Sequence, residues 1–168
     1  MSRTISLNFR EALFSQESDE VPIFLITITH PSLTTPILLS TDATERLSDE
    51  PLIYKTTSRG NDYIYAGVMI AIPNEEDRSP PSSKLVIQNL DRSLIPLSRS
   101  ISSPASAMIE VVLGSDPDTV EISLVAMDMV NLIYNADNLT FDLVIDSLVT
   151  EPYPAGTYSA AYFPGLFY

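Results

Sequence analysis

The chain has 168 residues, 45% of them hydrophobic, no cysteine and a formal net charge of −13. That length suits about one domain with enough apolar content to bury a core. Lack of cysteine excludes disulfides, thiolate metal sites, iron–sulfur clusters and cysteine nucleophiles. The acidic surplus, with a pI near 4.2, argues against a phosphate backbone as main partner, so no specific nucleic-acid binding is expected.

The opening stretch, MSRTISLNFREALF, has no apolar run of signal-peptide length, and no later segment approaches the ~20 apolar residues of a membrane helix. The expectation is a protein made in the cytoplasm without a membrane anchor. Leu7 to Phe14 reads as a short helix, with Leu7, Phe9, Ala12, Leu13 and Phe14 largely on one face and Asn8 with Glu11 as a capping pair.

Short runs rich in β-branched and aromatic residues then follow at 23–29, 35–40, 64–70, 84–88, 108–113, 120–125 and 140–146. Thirteen prolines, placed mostly between these runs, leave little room for long helices. The 23–29 run is apolar on both sides, which suits the centre of a sheet. Residues 73–83 read as a long acidic, proline-rich loop, and 89–100 as one or two helical turns interrupted by Pro96. The cluster from Gly114 to Asp118 reads as a hairpin turn joining two antiparallel strands. Together these runs predict an all-β fold, mainly an antiparallel β-sandwich or open barrel, with one or two short helices. Residues 1–152 form a single β domain on this reading, and 153–168 a separate arm.

Catalytic raw material is thin. His30, the lone histidine, stands where a strand runs into Pro31 and reads as a structural or surface residue. No nucleophile elbow, phosphate-binding glycine loop or dinucleotide fingerprint occurs. The carboxylates Glu75, Glu76, Asp77, Asp116, Asp118, Asp128, Asp137, Asp142 and Asp146 read as solvated faces, although Asp142 and Asp146 share strand parity. Asp116 and Asp118 lack the other ligands of a calcium loop, and the sequon at Asn138 has no secretory context. The chain is therefore read as a non-enzyme with no cofactor and no metal.

The arm stands out instead. Tyr153, Pro154, Gly156, Tyr158, Tyr162, Phe163, Pro164, Gly165, Leu166, Phe167 and Tyr168 are candidate interface residues on a segment without a charged side chain after Glu151. Such a segment either packs over its own core or docks into a neighbouring subunit, because exposed aromatic surface is costly in water.

Four stretches carry a resemblance: Asn8 to Ala12, Tyr54 to Tyr65, Lys84 to Asp91, and the closing Pro154-Ala155-Gly156-x-Tyr158 with Phe163-Pro164-Gly165-Leu166. The chain resembles a phage minor tail protein family, a hub-like tail-tip (baseplate) domain of long-tailed phages formerly of unknown function. The resemblance implies a structural virion protein that joins the distal tail ring to the central hub and assembles in the host cytoplasm. Its implied partners are copies of itself in a cyclic homo-oligomer, a trimer before a hexamer, and other tail proteins: the distal tail protein, the hub and the tape-measure protein. The competing reading is a carbohydrate- or receptor-binding β-sandwich module at the tail tip.

Overall fold

A computed structural model of the protein describes residues 5–71, 82–88, 103–145 and Gly165. Within them the chain is all-β apart from one helix, α1 (Leu7–Phe14). The first six strands are β1 (Pro22–Thr29), β2 (Ile37–Ser40), β3 (Glu45–Asp49), β4 (Leu52–Ser58), β5 (Asn61–Tyr65) and β6 (Val68–Ala71). They are followed by β7 (Ser82–Gln88), β8 (Ala105–Leu113), β9 (Asp116–Ser123), β10 (Met127–Tyr134) and β11 (Asn138–Val144). One continuous sheet joins them in the order β3-β4-β5-β2-β1-β8-β10-β11-β7-β6, with β9 also on β8. Every ladder is antiparallel except β2 with β5.

The doubly apolar β1 lies between β2 and β8, as its sequence requires. Its two side-chain sets enter different cores. Ile26 and Ile28, with Ala107 and Ile109 opposite them on β8, join Leu39, Val68, Leu85, Met127 and Leu143 in the larger cluster. Ile23 and Leu25 turn the other way, onto Val112 and Tyr63.

The larger core is enclosed by a ring of strands. β5 hydrogen-bonds β2, β6 hydrogen-bonds β7, and only Ala66 and Gly67 separate β5 from β6. The two therefore act as one bent strand closing the circuit β2-β1-β8-β10-β11-β7-β6. Where the sequence suggested an unbroken strand over 64–70, Gly67 makes the corner at φ +60. A Cβ there would lie 2.3 Å from Oε1 of Gln88. That atom ends a flexible, exposed side chain that can swing aside, whereas the left-handed backbone cannot be relieved. Gly67→Ala is accordingly expected to cost about 1 to 2 kcal/mol in urea unfolding. Adding Gln88→Ala should not restore it; full restoration would make the side-chain clash the dominant cost.

α1 covers one end of this ring. Phe9 is buried on Val111 and Leu113, against the partly buried Phe24 and Ile122. The cap differs from expectation: Ser6, not Asn8, is the N-cap, its hydroxyl accepting from the Phe9 N–H at 3.1 Å. Asn8 cannot serve because it already lies inside the first turn. The Ser6 N–H in turn donates to Oε2 of the buried Glu121 at 2.8 Å, pinning the helix start to β9.

The apolar face expected of the helix is also divided. At about 100° per residue, Leu7 and Phe14 point nearly opposite to Phe9, and only Phe9 is buried. The β8–β9 hairpin is present, but its turn is tighter than the stretch from Gly114 to Asp118, since Asp116 and Pro117 already belong to β9.

Candidate functional site

The interface residues expected on the arm, Tyr153, Pro154, Gly156, Tyr158, Tyr162, Phe163, Pro164, Leu166, Phe167 and Tyr168, lie outside the described residues, as do Glu75, Glu76, Asp77, Asp146 and the 89–100 segment. Gly165 is described and is exposed.

Within the described residues the densest polar constellation surrounds the β4–β5 hairpin. Its two-residue loop, Arg59 and Gly60, has φ +50 and +75, the mirror-image turn that suits twisted strands. This turn aims the Arg59 side chain at β8. There its Nη1 donates to Glu110 Oε1 at 3.2 Å, its Nη2 donates to Glu110 Oε2, and Nη2 also approaches the Tyr63 hydroxyl at 3.5 Å. The Glu110 side chain is 9% exposed and that of Arg59 is 38% exposed. Hydrogen bonding to Glu110 pushes the guanidinium above its ordinary value, against the opposing effect of burial.

The same corner is tied to β9. Ser58 Oγ donates to the Pro117 carbonyl at 2.7 Å, and the Arg59 N–H donates to Asp118. A carboxylate gripped at both oxygens by a guanidinium has few lone pairs left for a substrate proton. The arrangement is a clasp between hairpin and sheet.

The remaining sequence candidates are separated. His30 is buried at the end of β1, its Nε2 2.7 Å from Ser103 Oγ and its Nδ1 accepting from the Ser32 N–H at 3.0 Å. Both ring nitrogens are thus used in holding loops, in line with the structural reading. Asp142 accepts from Asn131 Nδ2 at 3.1 Å across the β10–β11 pair. Asp118 serves the hairpin clasp just described.

Sequence reasoning missed the clasp, and also a hydroxyl cluster in which Thr56 Oγ1 lies 2.9 Å from Ser40 Oγ and 3.0 Å from Thr44 Oγ1. Hydroxyls carry no periodic apolar signal, and Arg59 and Glu110 are far apart in sequence. The alternation of polar Thr56 and Ser58 on β4 was the one available sign of an inward polar face.

On the outer side of the same hairpin, Asp62 Oδ1 accepts from Lys55 Nζ at 2.8 Å and from Thr57 Oγ1 at 3.0 Å. These hydrogen bonds, Lys55 first, hold the Asp62 carboxyl below its ordinary value. With the folded value below the unfolded one, the contribution is present above the unfolded pKa and is lost as pH falls through the folded one. In a carboxyl-resolved NMR titration Asp62 is expected to protonate at lower pH than in Lys55→Met, where only the Thr57 bond remains. Identical midpoints in the two proteins would contradict this.

The surface feature that most departs from an ordinary exterior is apolar. Leu7 is 74% exposed, Leu13 59%, Phe14 87% and Val21 54%. All four belong to one end of the ring, since Val21 accepts from the Gly114 N–H beside Leu113, on which Phe9 packs.

Among known proteins, no protein-family model and no curated protein matches the chain.

Proposed function

We propose that the protein is a structural subunit of a phage tail tip or baseplate, joining the distal tail ring to the central hub. The observation that carries this reading is the apolar end of the ring that the described residues leave exposed. A domain with a net charge of −13 is well suited to stay dissolved, yet it leaves Leu7 and Phe14 in water. Apolar side chains kept on the surface of a strongly charged domain suit a subunit completed by its neighbours.

From Pro152 onward the sequence carries six aromatic residues and no charged side chain, a composition that suits the same purpose. The stretches that resemble tail-tip proteins, at Asn8 to Ala12, Tyr54 to Tyr65, Lys84 to Asp91 and Pro154 to Leu166, give the assembly its identity in this proposal. A closed cyclic arrangement, with three copies before six, is the symmetry such a subunit takes.

Electron cryomicroscopy of particles carrying the protein, with mass spectrometry of the purified particles, tests the reading. The expected result is the chain at the tail end in fixed stoichiometry with the other tail proteins. Its absence from intact, tailed particles, or its location on the head, would overturn the proposal.

A further inference from the structure

We infer that the outward face of α1, formed by Leu7 and Phe14 with Leu13 at its flank, seats the C-terminal segment 152–168 of a second copy of this chain. The inference rests on the subunit reading above and names the contact that would hold neighbouring copies together.

The seat is defined by what α1 leaves uncovered. Phe9 is the one buried side chain of the helix, and the side chains on the opposite side remain 74% and 87% exposed at Leu7 and Phe14. No described residue covers them, and on the subunit reading above the segment that does so belongs to a neighbouring copy.

The chemistry of the occupant follows from charge. Among the described residues, Glu11, Glu17, Asp19 and Glu20 lie near the seat in sequence against Arg10, so an acidic partner would be repelled. Segment 152–168 has no charged side chain and carries six aromatic residues, Tyr153, Tyr158, Tyr162, Phe163, Phe167 and Tyr168. It brings apolar area without adding like charge.

Length permits the reach. Beyond Ile145, 23 residues remain (168 − 145). Extended, they span up to roughly 75 Å, against a domain about 40 Å across, so the segment can leave its own domain.

The absence of native cysteine makes the contact directly testable with the full chain. Phe14→Cys and Tyr162→Cys proteins, mixed and mildly oxidised, are expected to form a disulfide-linked dimer. Mixing Phe14→Cys with Asp62→Cys, a cysteine on another exposed element, provides the collision background. A Phe14→Cys/Tyr162→Cys chain that links within itself and runs as a monomer would overturn the inference, as would linkage no greater than background.

A second measurement uses sedimentation. The Leu7→Ser/Phe14→Ser protein is expected to self-associate at least tenfold more weakly with its melting temperature shifted by less than about 2 °C, since both side chains are exposed. Unchanged self-association would overturn the inference. These readouts use purified chain alone, so their failure leaves the location of the protein in particles to be decided separately.

Discussion

Ile109→Ala is expected to lower the unfolding free energy by about 3 to 4 kcal/mol, in the upper half of the usual range for such truncations. Ile109 is fully buried, sits opposite Ile26 in the β1–β8 ladder, and belongs to the core that the strand ring encloses. Loss of three carbons removes transfer free energy and leaves a cavity, and the cost depends on how far the walls can move inward. Here the walls are strands held edge to edge around the circuit, so collapse at one position strains ladders on either side. Urea unfolding measures the effect. Val125→Ala, at a side chain 69% exposed, should stay within about 0.5 kcal/mol of the parent. A loss under about 1 kcal/mol for Ile109→Ala would mean that the ring yields readily.

The second large effect is expected at the hairpin clasp. Arg59→Asn keeps a residue that tolerates positive φ, so it removes the guanidinium without breaking the turn. Glu110 is then left as an uncompensated carboxylate with a side chain only 9% exposed. Breaking a fully buried pair costs about 3 to 5 kcal/mol, but the partly exposed Arg59 indicates that water can reach the site, so about 2 kcal/mol is expected. Adding Glu110→Gln to Arg59→Asn should recover part of the loss by removing the stranded charge. The same urea measurement decides: if Arg59→Asn is within about 0.5 kcal/mol of the parent, the pair contributes nothing to holding the hairpin down.

The elements readable from sequence were those that bury hydrocarbon. The run 23–29 carried its own placement, because residues apolar at consecutive positions can be satisfied only where both faces are covered, and β1 occupies such a place. Residues 7–14 were legible as a helix, yet their orientation was not, since five apolar residues in eight positions leave the buried side ambiguous.

β3 and β4 escaped notice for a different reason: they form the sheet's margin, with Thr56 and Ser58 inward where a strand normally presents valine or isoleucine. β10 was hidden by its own irregularity. Met127 and Met129 alternate inward, and then Asn131, at φ +52, falls within a register break that disrupts the period. As for the candidate site, the arm was conspicuous in composition. The face of α1 that would meet it became visible only once Phe9 had fixed which side of the helix was used.

The position of β1 also bears on how the chain is made. Its ladder with β8 joins residues near the start of the chain to residues past its middle, so a ribosome delivers β1 long before its principal partner exists. During that interval a strand apolar on both sides has one long edge without its mate, while β4–β5 can already pair locally. Ring closure is therefore a non-local event, of the kind expected to slow folding. Yield of soluble protein should depend on how fast synthesis runs relative to the exposure of β1, with slower aggregation in cooler cells.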